Sequence, residues 1–332
     1  MAYAKINSVT NANMAKVSNV AKAAIGKIGS IDAPATTTPF TFVIDTSKTG
    51  IASYGFQLPL IDDGTINFTI DWGDGNTDTI TAYDQAETLH NYAASTTYTV
   101  QMTGTIRGWN FGWSNNNSQR ITNISQWGDM HITNGYRVFA NCYNLTCTAT
   151  DAPTVSATNF QDGFRNSGIG GSFLELVQLG SAWDVSTVTT FYRCFSGDEY
   201  LNDADFSNWT FRDVTNISQM FVNCAFNQDV SSWDVSNVTN VSNMFANNVE
   251  FDQDLSAWDL TSCTDFTNFL EDCTLSTANY DATLIAWAAR DMQNSEAVHF
   301  GSSTYTEGGD AAAARQSLID DDSWTITDGG TA

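Results

Sequence analysis

Apolar residues return at a fixed interval through the second half of the chain. Trp183, Trp209, Trp233 and Trp258 stand 26, 24 and 25 residues apart. Each is followed by an apolar residue five positions on (Val188, Val214, Val238, Cys263) and a threonine at six (Thr189, Thr215, Thr239, Thr264). Another apolar residue follows at eight (Phe191, Ile217, Val241, Phe266) and a large one at twelve (Phe195, Phe221, Phe245, Leu270). A period near 25 predicts stacked units, none of which buries its apolar face alone. Trp127 with Phe139, then Phe160 with Phe164, carry the register towards the N-terminus, which makes about six units with an insertion beginning at Gly168. Within a unit the Ser-x-Trp-Asp-Val run is rich in strand formers. The apolar positions at five, eight and twelve lie three and four apart, one face of a short helix, with the threonine placed to cap it. The expected rung is a short strand, a turn and a helical turn.

Outside the repeat the pattern changes. Residues 40–106 alternate apolar and polar in strand fashion (Phe40, Phe42, Ile44; Ile66, Phe68, Ile70; Tyr98, Val100, Met102), which predicts a small β-sandwich. Residues 275–332 break the period and read as helices at 278–287 and 311–319 and strands at 297–300 and 324–327, a terminal cap for the last rung. At the other end, residues 1–31 repeat every 11 positions: Lys5, Lys16, Lys27; Ile6, Val17, Ile28; Val9, Val20, Ile31; Met14, Ile25. That spacing leaves one apolar stripe, as an amphipathic helix, as a segment that orders on a partner, or as a frayed tail. Residues 32–39, with Pro34 and Pro39, read as a linker.

Charge separates the same two parts. Residues 1–31 hold four lysines and no acid, whereas the remaining 301 residues carry nine basic and 37 acidic groups, a net of −28. Such an acidic body argues against nucleic acid as a partner and favours solubility; adaptation to a salty medium and cation binding both account for it. No run of 18 apolar residues exists, which predicts no membrane insertion, and the N-terminus lacks the apolar block of a signal peptide. Cys142, Cys224 and Cys273 fall three residues after the large apolar column, so the cysteines are expected to be free, buried core residues. His90, His131 and His299 have no neighbouring catalytic constellation, and no zinc spacing, P-loop, nucleophile elbow or dinucleotide fingerprint is present. The expectation is a protein that is not an enzyme, with no cofactor.

Two stretches carry resemblances. Asp71-Trp72-Gly73-Asp74-Gly75, followed by His90-Asn91-Tyr92 and Tyr98-Thr99-Val100, resembles the PKD-type immunoglobulin-like domain. Asp71, Asp74 and Asp78 could offer oxygens to calcium, although hairpin chemistry explains them better and the glutamate of a calcium hand is missing. The unit Phe226-Asn-Gln-Asp-Val-Ser-Ser-Trp-Asp-Val-Ser-Asn-Val-Thr-Asn-Val-Ser-Asn-Met-Phe245 is similar to the repeat of BspA-like leucine-rich-repeat surface proteins, as is the ending around Leu275–Ala282 and Trp324–Gly330. These resemblances imply a multidomain α+β chain: an anchor at 1–33, a PKD/Ig-like β-sandwich at 34–107, a leucine-rich-repeat-like solenoid at 108–274 and an α/β cap at 275–332. They also imply adhesion or recognition at a surface, with Trp183, Phe195, Trp209, Phe221, Trp233, Phe245, Trp258 and Leu270 as the structural core.

The first 31 residues are similar to N-terminal runs of tailed-phage structural proteins, on Lys5-Ile-Asn-Ser-Val and its repeats at Lys16 and Lys27. That resemblance implies a virion protein held to other virion proteins through Lys5, Ile6, Val9, Met14, Lys16, Val17, Val20, Ile25, Lys27, Ile28 and Ile31. On this reading the protein is assembled in the host cytoplasm, is a homo-oligomer, and faces a host-surface glycan or protein. The alternatives are a bacterial cell-surface adhesin sharing the body and, at low weight, a carbohydrate-active enzyme.

Overall fold

Phe40–Asp45 (β1) lies in the middle of a six-stranded sheet, where its alternate residues Phe40, Phe42 and Ile44 are completely buried. The computed structural model describes residues 37–332 apart from 51–53, 113–115, 169–182, 199–200, 202–205 and 207–208. The further strands are Gly55–Gln57 (β2), Asn67–Asp71 (β3), Thr77–Ile80 (β4), Leu89–Asn91 (β5), Thr97–Thr105 (β6), Ile121–Gln126 (β7), His131–Ile132 (β8), Thr146–Cys147 (β9) and Thr154–Val155 (β10). The sheet order is β4-β3-β6-β1-β7-β9, antiparallel except for the parallel β7–β9 edge. Phe68, Ile70, Ile80, Val100 and Met102 join the β1 residues on the core face, while Thr69, Asp71, Thr79 and Gln101 face water. One wet face and one buried face is what strict alternation produces in an antiparallel sheet. The two-stranded β2–β5 sheet packs on the core side, with the Phe56 ring 6.0 Å from Phe42.

After β10 no residue described up to 274 lies in an α-helix. Successive units instead touch through single parallel bridges, Asn159 to Thr190, Thr190 to Asn216, Asn216 to Asn240 and Asn240 to Asp265. Each unit ends in a ribbon of overlapping turns. Around Phe195, Cys194 N–H donates to Phe191, Ser196 to Arg193 and Asp198 to Phe195, all to backbone carbonyls three residues back. The residues two before and two after the large apolar position have positive φ in every unit: Arg137 and Asn141, Asp162 and Asn166, Arg193 and Gly197, Gln219 and Asn223, Asn243 and Asn247, Asn268 and Asp272. A left-handed residue at the third position of a four-residue turn is the type II arrangement, and one in every four such residues stops an α-helix from propagating.

Alternate N–H groups of the ribbon point to the next unit. Phe191, Arg193, Phe195 and Gly197 donate to the carbonyls of Asn216, Ser218, Met220 and Val222, and Ile217, Gln219, Phe221 and Asn223 donate to those of Asn240, Ser242, Met244 and Ala246. Inside the ribbon the large apolar column stacks face to face. Phe139, Phe164, Phe195, Phe221 and Phe245 follow one another at ring separations of 5.6 to 5.8 Å, and each step is tilted by 17° or less.

The C-terminal segment supplies the two α-helices among the described residues, Thr277–Ala288 (α1) and Asp310–Asp320 (α2). It also holds two short parallel pairs: Ala297–His299 (β11) with Thr325–Thr327 (β13), and Thr304–Tyr305 (β12) with Gly330–Thr331 (β14). Leu270 N–H, in the last ribbon, donates to the His299 carbonyl, so this segment closes the stack.

These findings overturn the expected architecture. The described residues are β-rich, with mixed sheets, little helix and no closed solenoid, and they do not form the leucine-rich-repeat solenoid with strand-turn-helix rungs. The helical reading fails because the three-and-four spacing is met equally by turns whose left-handed Asn, Asp and Gly residues the apolar pattern does not register. The Ig-like sandwich fails because the sheet holding the PKD-like motif runs on into β7 and β9, and its partner sheet has two strands only.

Candidate functional site

The acidic hairpin joins β3 to β4, and each of its carboxylates is bonded within the turn or to a neighbour. Asp71 Oδ1 accepts the Gly73 N–H at 2.9 Å, Asp74 Oδ1 accepts the Asn76 N–H at 3.0 Å, and Asp78 Oδ2 accepts the Trp72 indole N–H at 2.8 Å. Gly73 has φ +79°, and a Cβ there would meet the Thr99 carbonyl oxygen at 2.3 Å, so the turn requires glycine. His90 stacks on Trp72 with centroids 4.7 Å apart and meets Asp74 Oδ2 at 2.8 Å through Nε2, while Tyr92 Oη donates to the Trp72 carbonyl. Partial burial raises the Asp74 carboxyl, but hydrogen bonds from His90 and Asn76 outweigh it and leave the group below the usual carboxylate range. Among the described residues no group of three or more His, Cys, Asp or Glu side chains is placed to hold a metal ion.

The repeat presents regular polar columns outside its core. Exposed Thr189, Thr215, Thr239 and Thr264 each donate both backbone N–H and Oγ1 to the carbonyl of the equivalent threonine, or Thr158, in the preceding unit. The hydroxyl expected to cap a helix therefore ties one unit to the last. Beside it, Asn159, Thr190, Asn216, Asn240 and Asp265 accept the N–H two residues on, which fixes the entry to the turn ribbon.

Two buried carboxylates, Asp162 and Asp198, lie in further columns of the repeat and escaped the sequence reading. Asp162, fully buried, meets Arg193 Nε at 3.0 Å and Arg137 Nε at 3.6 Å, and the two guanidinium groups also lie over the Tyr192 and Tyr136 rings. The alternation Arg137, Asp162, Arg193 at one repeat position was the available signal. The second, Asp198, stands in the column three residues after the large apolar one, with Cys142, Ser167, Cys224, Asn248 and Cys273, all buried. Side chains of this column bind core backbone, as Ser167 Oγ does the Phe139 carbonyl and Asn248 does both polar groups of Phe226. Asp198 accepts the Ser167 N–H at 2.7 Å through one oxygen, and the other is buried without a partner. Burial pushes its carboxyl well above the ordinary range.

The core residues read from the repeat, Trp183, Phe195, Trp209, Phe221, Trp233, Phe245, Trp258 and Leu270, are all buried and belong to one continuous cluster. The anchor residues Lys5, Ile6, Val9, Met14, Lys16, Val17, Val20, Ile25, Lys27, Ile28 and Ile31 lie outside the described residues. All six cysteines are free and buried. His131 Nε2 meets Ser156 Oγ and His299 Nδ1 accepts the Gly301 N–H, local contacts in both cases. No helix among the described residues is long and apolar enough to cross a membrane.

Residues 171–287, just over a third of the chain, match a family described as a Mycoplasma protein of unknown function, DUF285. The match covers the repeat from before Trp183 to the end of α1, and it fits a BspA-like surface protein only loosely. No curated protein and no solved structure matches the chain.

Proposed function

We propose that this is a non-enzymatic structural protein of a tailed-phage particle, attached through residues 1–31 and presenting its acidic body for adhesion or recognition at the host surface. The observation that carries the reading is the division of the chain into two units, Met1–Thr37 and Thr38–Ala332, shortly after the first acidic residue, Asp32, ends the all-basic run. A cationic segment with an apolar stripe suits burial against other virion proteins, and an acidic, densely cross-bonded body suits exposure to solvent. The resemblance of the first 31 residues to phage structural proteins supports the attachment. The aromatic stack supports a rigid display element, because the units from Phe139 to Phe245 are fixed to one another by both backbone bonds and ring stacking. The reading includes a homo-oligomer, no cofactor, no nucleic-acid partner and no membrane insertion.

The match of residues 171–287 favours a second reading, a bacterial cell-surface protein with the same body. Deleting residues 1–31 separates the two. On the first reading the truncated chain remains folded by circular dichroism and disappears from purified particles; retention in particles, or detection of the full chain only on washed, phage-free cells, overturns it.

A further inference from the structure

Three of the four tryptophan units share a small turn that the fourth lacks. Asp184, Asp234 and Asp259 each follow the tryptophan directly and accept the backbone N–H of Ser186, Ser236 and Thr261 two residues on. After Trp209 the corresponding residues are Thr210 and Arg212. The fold does not need this change, since the neighbouring units hold the same backbone path with Asp and Ser or Thr. At this place the surface opens into a cleft of about 600 Å³ spanning three successive units, with Ser186 from one, Trp209, Thr210, Arg212 and Asp213 from the next, and Asp234 from the third.

Arg212 is exposed, and its guanidinium makes no hydrogen bond to a described residue. Its backbone is held, because Asn237 Nδ2 donates to the Arg212 carbonyl at 2.7 Å. The cleft thus offers a five-donor fork free of hydrogen bonds to described residues and drawn to Asp234 by charge alone, together with two carboxylates and the hydroxyls of Ser186, Thr210 and Ser232. Trp209 itself is buried and forms only the floor, so the groups that meet a ligand are polar, and dense donors and acceptors are the chemistry of a polyhydroxylated ligand. Two carboxylates flank the one cation, and residues 32–332 carry a net −28, so anionic ligands are repelled. We infer that the cleft at Trp209, Thr210 and Arg212 is a binding site for a neutral glycan. The inference gives the recognition role proposed above a ligand class and rests on it.

The test uses the full chain and titration calorimetry with maltohexaose, mannohexaose and chitohexaose as neutral probes and a hexagalacturonate as the anionic one. The variant Thr210→Asp/Arg212→Ser writes the neighbouring units' own turn into this one, so its melting temperature should match or exceed that of the wild type. At least one neutral probe should bind the wild type, and the variant should bind it at least about tenfold more weakly, a loss of about 1.4 kcal/mol. Binding of no neutral probe, binding of the uronate alone, or equal affinity in wild type and variant overturns the inference. Particle incorporation without sugar binding would sink the glycan site and leave the virion reading standing; sugar binding by a chain missing from particles would do the reverse.

Discussion

Replacing Phe245 by alanine tests whether the stacked rings hold the units together. The side chain is fully buried, with its ring 5.8 Å from Phe221, 3.7 Å from Phe251 and 5.7 Å from Phe269. Truncating a buried phenylalanine costs about 3–5 kcal/mol in transfer and cavity terms. Each stacked partner adds about 0.5–1.5 kcal/mol beyond burial, and two of the four aromatic neighbours, which include Trp258 at 6.3 Å, are stacked, which places this site near the upper end. At about 2 °C per kcal/mol for a body of this size, the melting temperature should fall by about 8–10 °C. Phe245→Leu should cost less than about 2 kcal/mol, because the column already ends in a fully buried leucine, Leu270. Val249, 72% exposed four residues away, is the control, and its alanine variant should lie within about 0.5 kcal/mol of the wild type. The assay is a thermal scan by near-ultraviolet circular dichroism. A Phe245→Ala melting point within about 2 °C of the wild type would refute the view that this column carries the packing energy.

Two further predictions come from the buried polar column. The Asp198 carboxyl has its pKa raised by folding, so the native state holds a proton that the unfolded chain releases, and stability falls as pH rises above the ordinary carboxylate value of about 4. Asp198→Asn should remove that component: urea midpoints from about pH 4 to pH 8 should decline less in the variant, and parallel profiles would contradict a neutral buried carboxyl. Burial also raises the thiols, that of Cys147 to about 11 and those of Cys263 and Cys273 to about 12. A thiol-reactive dye near neutral pH should therefore label none of the six cysteines in the native protein and all six in urea; rapid native labelling of any would show an accessible thiol.

What the sequence made legible was register. The spacing of Trp183, Trp209, Trp233 and Trp258 and of the phenylalanines twelve residues on places those side chains in one core, since a period is a direct statement about which residues are equivalent. The periodicity at 278–287 and 311–319 likewise marks the two helices. Local backbone conformation was less legible, because apolar spacing of three and four suits a helix and a turn ribbon alike. The deciding residues lay outside the apolar pattern: Asn141, Asn166, Gly197, Asn223, Asn247 and Asp272, types that tolerate positive φ, recur two after the large apolar position. The continuous sheet was hidden for a different reason. Ile121 and Ile124 carry a strand pattern too short to say which partner they choose, and β1 selects them across nearly 80 residues. As for the candidate cleft, Arg212 is conspicuous only once the turn it replaces has been seen in three other units.

Because the ribbon keeps its donors on one side and its acceptors on the other, any unit can follow any other without altering the joint. Gene-level duplication or loss of a 25-residue segment would lengthen or shorten the body while every remaining seam kept its backbone bonds. A lineage could in this way change its reach by whole steps and retool single steps, as at residues 210 and 212, leaving the neighbours untouched.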